Sequence, residues 1–260
     1  MNQKVLHNIG GKSNNNLNEI LQNFDDSDFE IKTFGESPYI ELDALGSTLE
    51  PYTNNFSILS INIQSINAKF DKLITLLYLL EETNFYFSAI CIQESWLTKD
   101  QSTTMFEIPG YQLIHQGKIC CMHGGLITYL KDGFTYTPRN LYTNSDVWEG
   151  QFVDINSEIL NKKITLGNIY RPPKYNNSNP SIETFIQEIR PIVNKLAKEN
   201  SYTIITGDFN INLLEMKDRL KYQSYFDLFV TQSFYPKIIQ PTRLAKKKGT
   251  LIDQTFCKFS

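Results

Sequence analysis

In the segment Thr203-Ile-Ile-Thr-Gly-Asp-Phe-Asn210, a β-branched run is interrupted by glycine and followed at once by acid and amide side chains. The run predicts a buried central strand, and Gly207 predicts a turn where a side chain would obstruct an approaching ligand. We expect Asp208 and Asn210 to point from the strand end into a cleft. There a carboxylate can take a proton from water, and an amide can hold an oxygen without adding charge. The alternative is an ordinary turn, since Gly-Asp-x-Asn is rich in turn-forming residues.

Apolar periodicity on either side of this stretch predicts strands and helices in mixed order. A helix is expected after Ser65, a second is expected to begin at Asn179-Pro180 and to kink at Pro191, and a third covers 222–230. Further strands are predicted at 56–63, 87–92, 111–114, 125–130, 151–155, 164–170 and 251–256. The middle of the chain is expected to form antiparallel sheet. This pattern predicts an α+β sandwich of two packed mixed β-sheets flanked by helices.

The first 52 residues differ from the rest and predict a disordered, acidic, Asn-rich leader. Residues 1–50 hold nine acidic and three basic side chains. Removing these from the chain totals of 28 and 25 leaves 19 acidic and 22 basic side chains. The chain has a net charge of -3, but the domain over 53–260 is mildly basic, which is compatible with a nucleic-acid partner.

Cysteine usage and hydropathy bear on the compartment. The four cysteines, Cys91, Cys120, Cys121 and Cys257, form no Cys-x-x-Cys pair, and buried free thiols are the ordinary outcome. The N-terminus lacks the apolar stretch of a secretory signal, and the apolar run at 74–80 is too short to span a bilayer. We expect an intracellular protein in a reducing compartment, with no membrane partner.

Polar side chains follow four separated strand ends: Asn62, Glu94, Tyr170 and the Asp208/Asn210 pair. Each alone has an ordinary structural explanation, such as a strand cap, a surface acid or a turn. Together they predict a cleft, because strand ends on one edge of a sandwich converge. Mg²⁺ prefers oxygen ligands and keeps several waters, so one carboxylate and one amide oxygen can suffice as its protein ligands. The cleft therefore suits metal-assisted phosphodiester hydrolysis.

Six ordered motifs over residues 55–260 resemble the endonuclease/exonuclease/phosphatase superfamily, most of all the apurinic-type endonuclease domain of non-LTR (LINE-type) retrotransposons. The motifs are Leu59-Ser-Ile-Asn62-Ile-Gln-Ser65, Ile92-Gln-Glu94-Ser-Trp96, Asn168-Ile-Tyr170-Arg-Pro-Pro173, Thr206-Gly-Asp208-Phe-Asn210, Pro241-Thr-Arg243 and Thr250-Leu-Ile-Asp253. The resemblance implies a four-layer α/β sandwich that nicks DNA with Mg²⁺ (or Mn²⁺) and leaves a 3′ hydroxyl for reverse transcription. It also implies nuclear localisation and a reverse transcriptase domain encoded downstream as a partner.

The resemblance also implies roles for individual residues. Glu94 would bind the metal with help from Asn62, and Asp208 would orient or deprotonate the attacking water. The phosphate would be held by Asn210 and Tyr170.

The family also pairs the acid at Asp253 with a histidine from a Ser-Asp-His motif on a further strand. The sequence stops at Ser260 without that motif. We therefore expect Asp253 to lack its partner, a sheet edge to be unpaired, and activity to be weak or absent.

Basic residues near the C-terminus, Arg243, Lys246, Lys247 and Lys248, are candidates for DNA contact, although the three lysines alone equally suit a solvated turn. Two other functions remain open. One is a metal-dependent phosphatase of the same superfamily, and the other is a non-catalytic, DNA-binding remnant. A monomer is expected in each case.

Overall fold

The structure is a computed structural model that describes residues 37–118, 123–141, 145–156, 163–173, 181–245 and 248–259. One four-stranded sheet contains β1 (Ile58–Asn62), β2 (Ala89–Gln93), β3 (Tyr111–Gln116) and β4 (Leu126–Lys131) in the order β1-β2-β4-β3. A six-stranded sheet is built from β5 (Thr135–Pro138), β6 (Glu149–Asn156), β7 (Ile164–Tyr170), β8 (Tyr202–Asp208), β9 (Tyr235–Pro236) and β12 (Asp253–Lys258). Its order is β5-β6-β7-β8-β12-β9. The short strands β10 (Arg243–Ala245) and β11 (Lys248–Thr250) form a separate hairpin.

The helices are α1 (Leu45–Leu49), α2 (Ile66–Glu81), α3 (Ile182–Ala197) and α4 (Leu220–Val230). Helix α2 connects β1 to β2 and α3 connects β7 to β8, and these two strand pairs are parallel because a helical crossover returns the chain to the same edge. The middle strands pair antiparallel as predicted, but they are divided between the two sheets.

Because side chains alternate between the two faces of each strand, the hydrophobic core consists of three clusters, one between the sheets and one on the outer face of each sheet. On β2, Ala89 and Cys91 belong to the cluster between the sheets, whereas Ile90 and Ile92 pack with α2 on the outer face. On β8, Ile204 faces the other sheet and the next residue joins the aromatic cluster under α3 and α4. Helix, sheet, sheet and helix therefore form the predicted four-layer sandwich.

Helix α3 begins at Ile182, two residues later than the sequence indicated. Ser181 is its N-cap, and the Ser181 hydroxyl accepts hydrogen bonds from the backbone N–H groups of Glu183 and Thr184. The predicted cap, Asn179-Pro180, lies outside the described residues. The helix continues through Pro191 to Ala197, with its apolar face buried against the six-stranded sheet.

A chain of buried amides joins the two sheets. Gln93 donates to Oδ1 of Asn168 at 2.7 Å, and Nδ2 of Asn168 donates to the backbone carbonyl groups of Ile92 and Ile127. Thr128 continues the chain to Gln151 at 2.6 Å. Buried polar groups are costly unless they are paired, so this ladder favours one alignment of the sheets over others.

The edge beyond β12, which the sequence predicted to be unpaired, is partly covered. Strand β9 pairs with Phe256 and Cys257, and the backbone N–H of Lys237 donates to the carbonyl of Thr255. Burial raises the pKa of the Cys257 thiol to about 12, and the same holds for Cys91 on β2. Cys120 and Cys121 lie outside the described residues. No helix in the described ranges is long and apolar enough to span a bilayer.

The last part of the predicted leader, residues 37–52, packs on the domain. It contains α1 and a 3₁₀ turn at Glu50–Tyr52. The Ser37 hydroxyl donates to the carbonyl of Lys237, and the Tyr39 hydroxyl donates to the carbonyl of Pro241 at 2.8 Å. This segment therefore contacts the loop that leads into β10.

Tyr39→Phe is expected to lower the free energy of unfolding by about 0.5–1 kcal/mol, because it removes one partly exposed hydrogen bond and leaves the ring in place. Urea unfolding measures the change. Tyr78→Phe is the matched control, since Tyr78 is also exposed and its hydroxyl has no hydrogen bond within the described residues. Equal effects of the two substitutions would show that the Tyr39 contact contributes nothing.

Candidate active site

The ends of strands from both sheets meet at one amide. Nδ2 of Asn62, the last residue of β1, donates to Oε1 of Glu94 at 2.7 Å and to Oδ2 of Asp208 at 2.7 Å. Glu94 follows β2 of the same sheet, whereas Asp208 ends β8 of the other sheet. The predicted convergence of these three residues is therefore present, and the Asn62 amide links two carboxylates.

Glu94 is held in an unusual backbone conformation. Its φ of 55° lies in the left-handed region, which is unfavourable for a non-glycine residue. The backbone is fixed on both sides, since Ser65 N–H donates to the Glu94 carbonyl and Trp96 N–H donates to the Gly124 carbonyl. The Trp96 indole N–H also donates to Oε2 of Glu94 at 3.2 Å. Local strain is thus retained to orient this carboxylate.

Asp208 lies at the end of β8 as the sequence predicted, but its side chain is fully buried beneath the Asn62 amide and Arg243 and does not itself face a cleft. Burial raises its pKa to about 6, and the negative charge of Asp253 adds to the rise. Arg243, the Asn62 amide and the N–H of Asn210 act in the opposite direction. The Asp208 carboxylate is therefore an anion with a raised proton affinity, as a group that accepts a proton from water requires.

Gly207 has a different role from the predicted one. Its φ is 148°, and a Cβ there would lie 1.8 Å from the carbonyl oxygen of Ile169 on the neighbouring strand β7. Glycine is needed at this position because β7 approaches too closely for any side chain. A requirement for ligand space is not needed to explain it.

The turn after β8 is clamped by Arg171, a residue that the sequence reasoning did not single out. Arg171 is 4% exposed, and its guanidinium Nη1 donates to the carbonyl of Phe209 at 3.3 Å. Nδ2 of Asn210 donates back to the Arg171 carbonyl at 2.8 Å, and Asn210 N–H donates to Oδ1 of Asp208. The Tyr-Arg-Pro-Pro motif was the available signal, because an arginine directly after a buried strand needs acceptors.

Tyr170 lies beside Asp208 in the parallel β7–β8 register and is 2% exposed. Its other strand neighbour in the sheet is Glu149, whose carboxylate accepts from Gly125 N–H at 2.6 Å. Tyr170 thus belongs to the same edge of the sandwich as the carboxylates.

Asp253 has a cationic neighbour, which the sequence did not predict. Nε of Arg243 lies 3.6 Å from Oδ2 of Asp253, and Nη2 of Arg243 lies 2.5 Å from Oδ2 of Asp208. Asp253 opposes Asp208 in the antiparallel β8–β12 register, so the arginine contacts both acids. Within the described residues, Arg243 takes the place beside Asp253 that the resemblance gave to a histidine.

A cleft of about 440 Å³ opens over this cluster and is lined by Asn62, Arg243 and Asp253, among other residues. Of the other predicted DNA contacts, Lys248 is in β11, while Lys246 and Lys247 lie outside the described residues.

Two histidines fall within the described residues of the domain. His115 is on β3, and the His123 ring packs 4.9 Å from the Trp96 ring, which in turn bonds Glu94. The sequence around His123 contains no acid, and its link to Glu94 through Trp96 depends on the fold.

The donor set is compatible with a hard divalent cation. Arg243 contacts Asp208 and Asp253, and the Asn62 amide joins Glu94 to Asp208. Three carboxylates therefore accompany one arginine, which leaves an excess of negative charge. The described residues contain no group of three or more His, Cys, Asp or Glu side chains arranged to hold a metal. An ion bound by few protein ligands and several waters, such as Mg²⁺, would need only one or two of these carboxylates.

Solved structures with the same architecture include nucleases and a 3′ phosphatase. The endonuclease domain of TRAS1, a telomere-specific non-LTR retrotransposon, has a TM-score of 0.56 at 16% identity over 77% of this chain and 84% of that chain. An AP endonuclease from Leishmania major has a TM-score of 0.58 at 16% identity over 92% and 90%. A 3′ phosphatase from Neisseria, solved with product DNA hairpin, has a TM-score of 0.55 at 12% identity over 77% and 86%.

No family model matches the sequence. At these sequence identities the structural likeness shows the fold alone, and that fold agrees with the two mixed sheets of four and six strands. The chain therefore has the fold of these solved nucleases and of this phosphatase, a four-layer sandwich as its motifs predicted.

Proposed function

We propose that the chain is a metal-dependent DNA endonuclease of the non-LTR retrotransposon type. The observation that carries the proposal is the Asn62 amide, which joins the carboxylates of Glu94 and Asp208 across the two sheets. A buried cluster of this kind costs stability, and such cost is retained where chemistry needs it. The architecture shared with known nucleases supports the same conclusion.

In the proposed reaction a water oxygen attacks the phosphorus of one DNA phosphodiester, and the P–O3′ bond breaks. Asp208 accepts the proton of the water, while the O3′ atom takes the bond's electron pair and gains a proton from solvent. The products are a 3′ hydroxyl and a 5′ phosphate. Asn210 and Tyr170 would contact the phosphate, since amide and phenol groups donate hydrogen bonds to its oxygens.

Glu94, assisted by Asn62, is proposed to hold Mg²⁺ or Mn²⁺. When bound, the ion would offset the negative charge that develops on the phosphate and the leaving oxygen. Mn²⁺ binding by the full chain, followed by electron paramagnetic resonance, is expected to be lost in Glu94→Gln. Retention of binding would place the metal elsewhere.

Supercoiled DNA incubated with the purified chain and Mg²⁺ tests the activity. Because Arg243 lies beside Asp253, we expect nicking in place of the weak or absent activity that the missing histidine suggested. The nicked circles should have ends that a DNA polymerase extends, which requires a 3′ hydroxyl, and Glu94→Gln should give no nicking. The likeness to a 3′ phosphatase makes a 3′-phosphorylated duplex the necessary second substrate. Release of inorganic phosphate without nicking would show that the activity is that of a phosphatase and not of an endonuclease. Metal-independent DNA binding without turnover, unaffected by Asp208→Ala, would indicate a binding remnant.

Lys246, Lys247 and Lys248 are proposed to contact the DNA backbone. Replacing all three by alanine is expected to make the negative slope of log K against log salt shallower by up to about 3, because each phosphate contact contributes about −0.9 to it. Fluorescence anisotropy of a labelled duplex at several salt concentrations measures this slope. Lys72→Ala, on the outer helix α2, is expected to leave the slope unchanged. Equal slopes for the triple variant and the unaltered chain would exclude these lysines from the interface.

A further inference from the structure

Arg243 lies within the cluster of carboxylates, whereas the sequence indicated only that it is a candidate for DNA contact. Its Nη2 is 2.5 Å from Oδ2 of the buried Asp208, and its Nε is 3.6 Å from Oδ2 of Asp253. The Arg243 side chain is nevertheless 39% exposed and lines the cleft. One end of the site therefore combines a fixed cation with access from solvent.

The hairpin that carries Arg243 is tied to the strand that carries Asp253. Thr242 Oγ1 accepts hydrogen bonds from the backbone N–H groups of Ile252 and Asp253, and Thr242 N–H donates to the Thr250 carbonyl. Strand β10 is thus anchored at the first residue of β12. Because the backbone is fixed on both sides of this junction, the guanidinium is held over the two acids.

The Arg243 guanidinium has N–H groups that neither carboxylate uses. Arginine carries five N–H groups in a rigid fork, and the contacts with Asp208 and Asp253 involve Nη2 and Nε. Within the described residues, Nη1 has no hydrogen-bond acceptor. A guanidinium matches two oxygens of a phosphate, and it stays charged at all working pH values.

We propose that Arg243 is a catalytic residue that contacts the scissile phosphate, while its ion pairs with Asp208 and Asp253 keep it in position. The inference rests on the proposed nuclease function. Arg243 forms no covalent bond and transfers no proton. Its contribution is the positive charge that offsets the negative charge developing on the phosphate oxygens in the transition state.

The competing role is structural: Arg243 could serve only as a counter-ion that makes two neighbouring acids tolerable. The two roles differ in what restores activity. A phosphate contact can be replaced by a free guanidinium ion that enters the vacated space, whereas a structural counter-ion acts through stability. The measurements therefore pair kinetics with unfolding.

The experiment measures kcat and KM for DNA nicking by the full chain, Arg243→Ala, Arg243→Lys and Arg219→Ala, with urea unfolding of each. Arg219 is the matched control, because it also forms an ion pair, with Glu215 at 3.0 Å. We expect Arg243→Ala to lower kcat by about a hundredfold, Arg243→Lys to lower it less, and Arg219→Ala to leave it unchanged. About 50 mM guanidinium chloride, far below denaturing concentrations, should restore part of the Arg243→Ala activity, and NaCl of equal strength should not.

Nicking by Arg243→Ala within threefold of the unaltered chain would overturn the inference and leave the proposed function standing. Loss of activity that follows loss of stability, with no rescue by guanidinium in Arg243→Ala and no recovery in Arg243→Lys, would also overturn it in favour of the structural role. An unaltered chain that cleaves no DNA would overturn the proposed function itself, and the inference with it.

Discussion

Asp208→Asn is expected to lower Mg²⁺-dependent DNA nicking by about a thousandfold, because an amide cannot accept the proton of the attacking water. The same substitution is expected to stabilise the fold in EDTA at pH 7. Asp208 is fully buried, and its folded-state pKa of about 6 lies above its ordinary value of 3.8. The folded state therefore binds the proton more tightly than the unfolded state, and the charged form of Asp208 is unfavourable in the fold.

The sign of the pH effect follows from this difference. A group whose pKa is raised on folding contributes stability below pH 3.8, and that contribution is lost as the pH rises through about 6. Asparagine does not titrate, so the variant avoids the loss. A pKa difference of this size lowers the free energy of unfolding by about 3 kcal/mol at pH 7 and by almost nothing at pH 4.

Urea unfolding in EDTA at the two pH values, together with nicking kinetics in Mg²⁺, measures both effects. Asp132→Asn is the control, since Asp132 is an exposed acid in the turn between β4 and β5, and we expect it to change neither quantity. A variant at Asp208 that is inactive and also less stable at pH 7 would show that the carboxylate is needed for packing. A variant that still nicks DNA would remove Asp208 from the proposed role.

The sandwich was predictable because its determinants are local. Alternation along β2 and β8 places successive side chains on opposite faces of a sheet, and helical spacing in α2 and α3 marks one apolar face. The strand-end positions of Asn62, Glu94 and Asp208 follow from the same periodicity. These signals are carried by neighbouring residues, so a single sequence contains them.

The contacts within the site were not predictable, because they depend on how distant segments meet. Gln93 and Asn168 set the alignment of the two sheets, and without that alignment the Asn62–Asp208 bond cannot be inferred. Arg243 lies 35 residues after Asp208 in the chain, and their pairing requires the β10–β11 hairpin to be anchored at β12. Sequence motifs thus identified members of the cluster without showing which of them touch.

Gly207, in the segment 203–210, also has a role that depends on a distant part of the chain. From sequence, a glycine before an acid suggests room for a ligand. In the structure the nearest atom to a Cβ at this position is the Ile169 carbonyl oxygen, which belongs to a strand nearly forty residues earlier. The constraint on Gly207 is therefore set by the spacing between β7 and β8.

Gly207→Ala is accordingly expected to lower the free energy of unfolding by about 4 kcal/mol, since overpacking and an unfavourable φ each cost about 1–3 kcal/mol. The added Cβ would lie 1.8 Å from a backbone oxygen, so β7 and β8 must separate. Tyr170 and Asp208 end these two strands, and nicking should fall with the displacement.

Gly133→Ala separates the two causes. Gly133 also has a positive φ, 94°, but an added Cβ there meets nothing within 4 Å. It should therefore cost only the conformational part, about 1–2 kcal/mol, and leave nicking unchanged. Urea unfolding of both variants gives the steric part by difference. If Gly207→Ala costs no more than Gly133→Ala, close approach of the strands does not explain the glycine, and the space it leaves for a ligand becomes the better explanation.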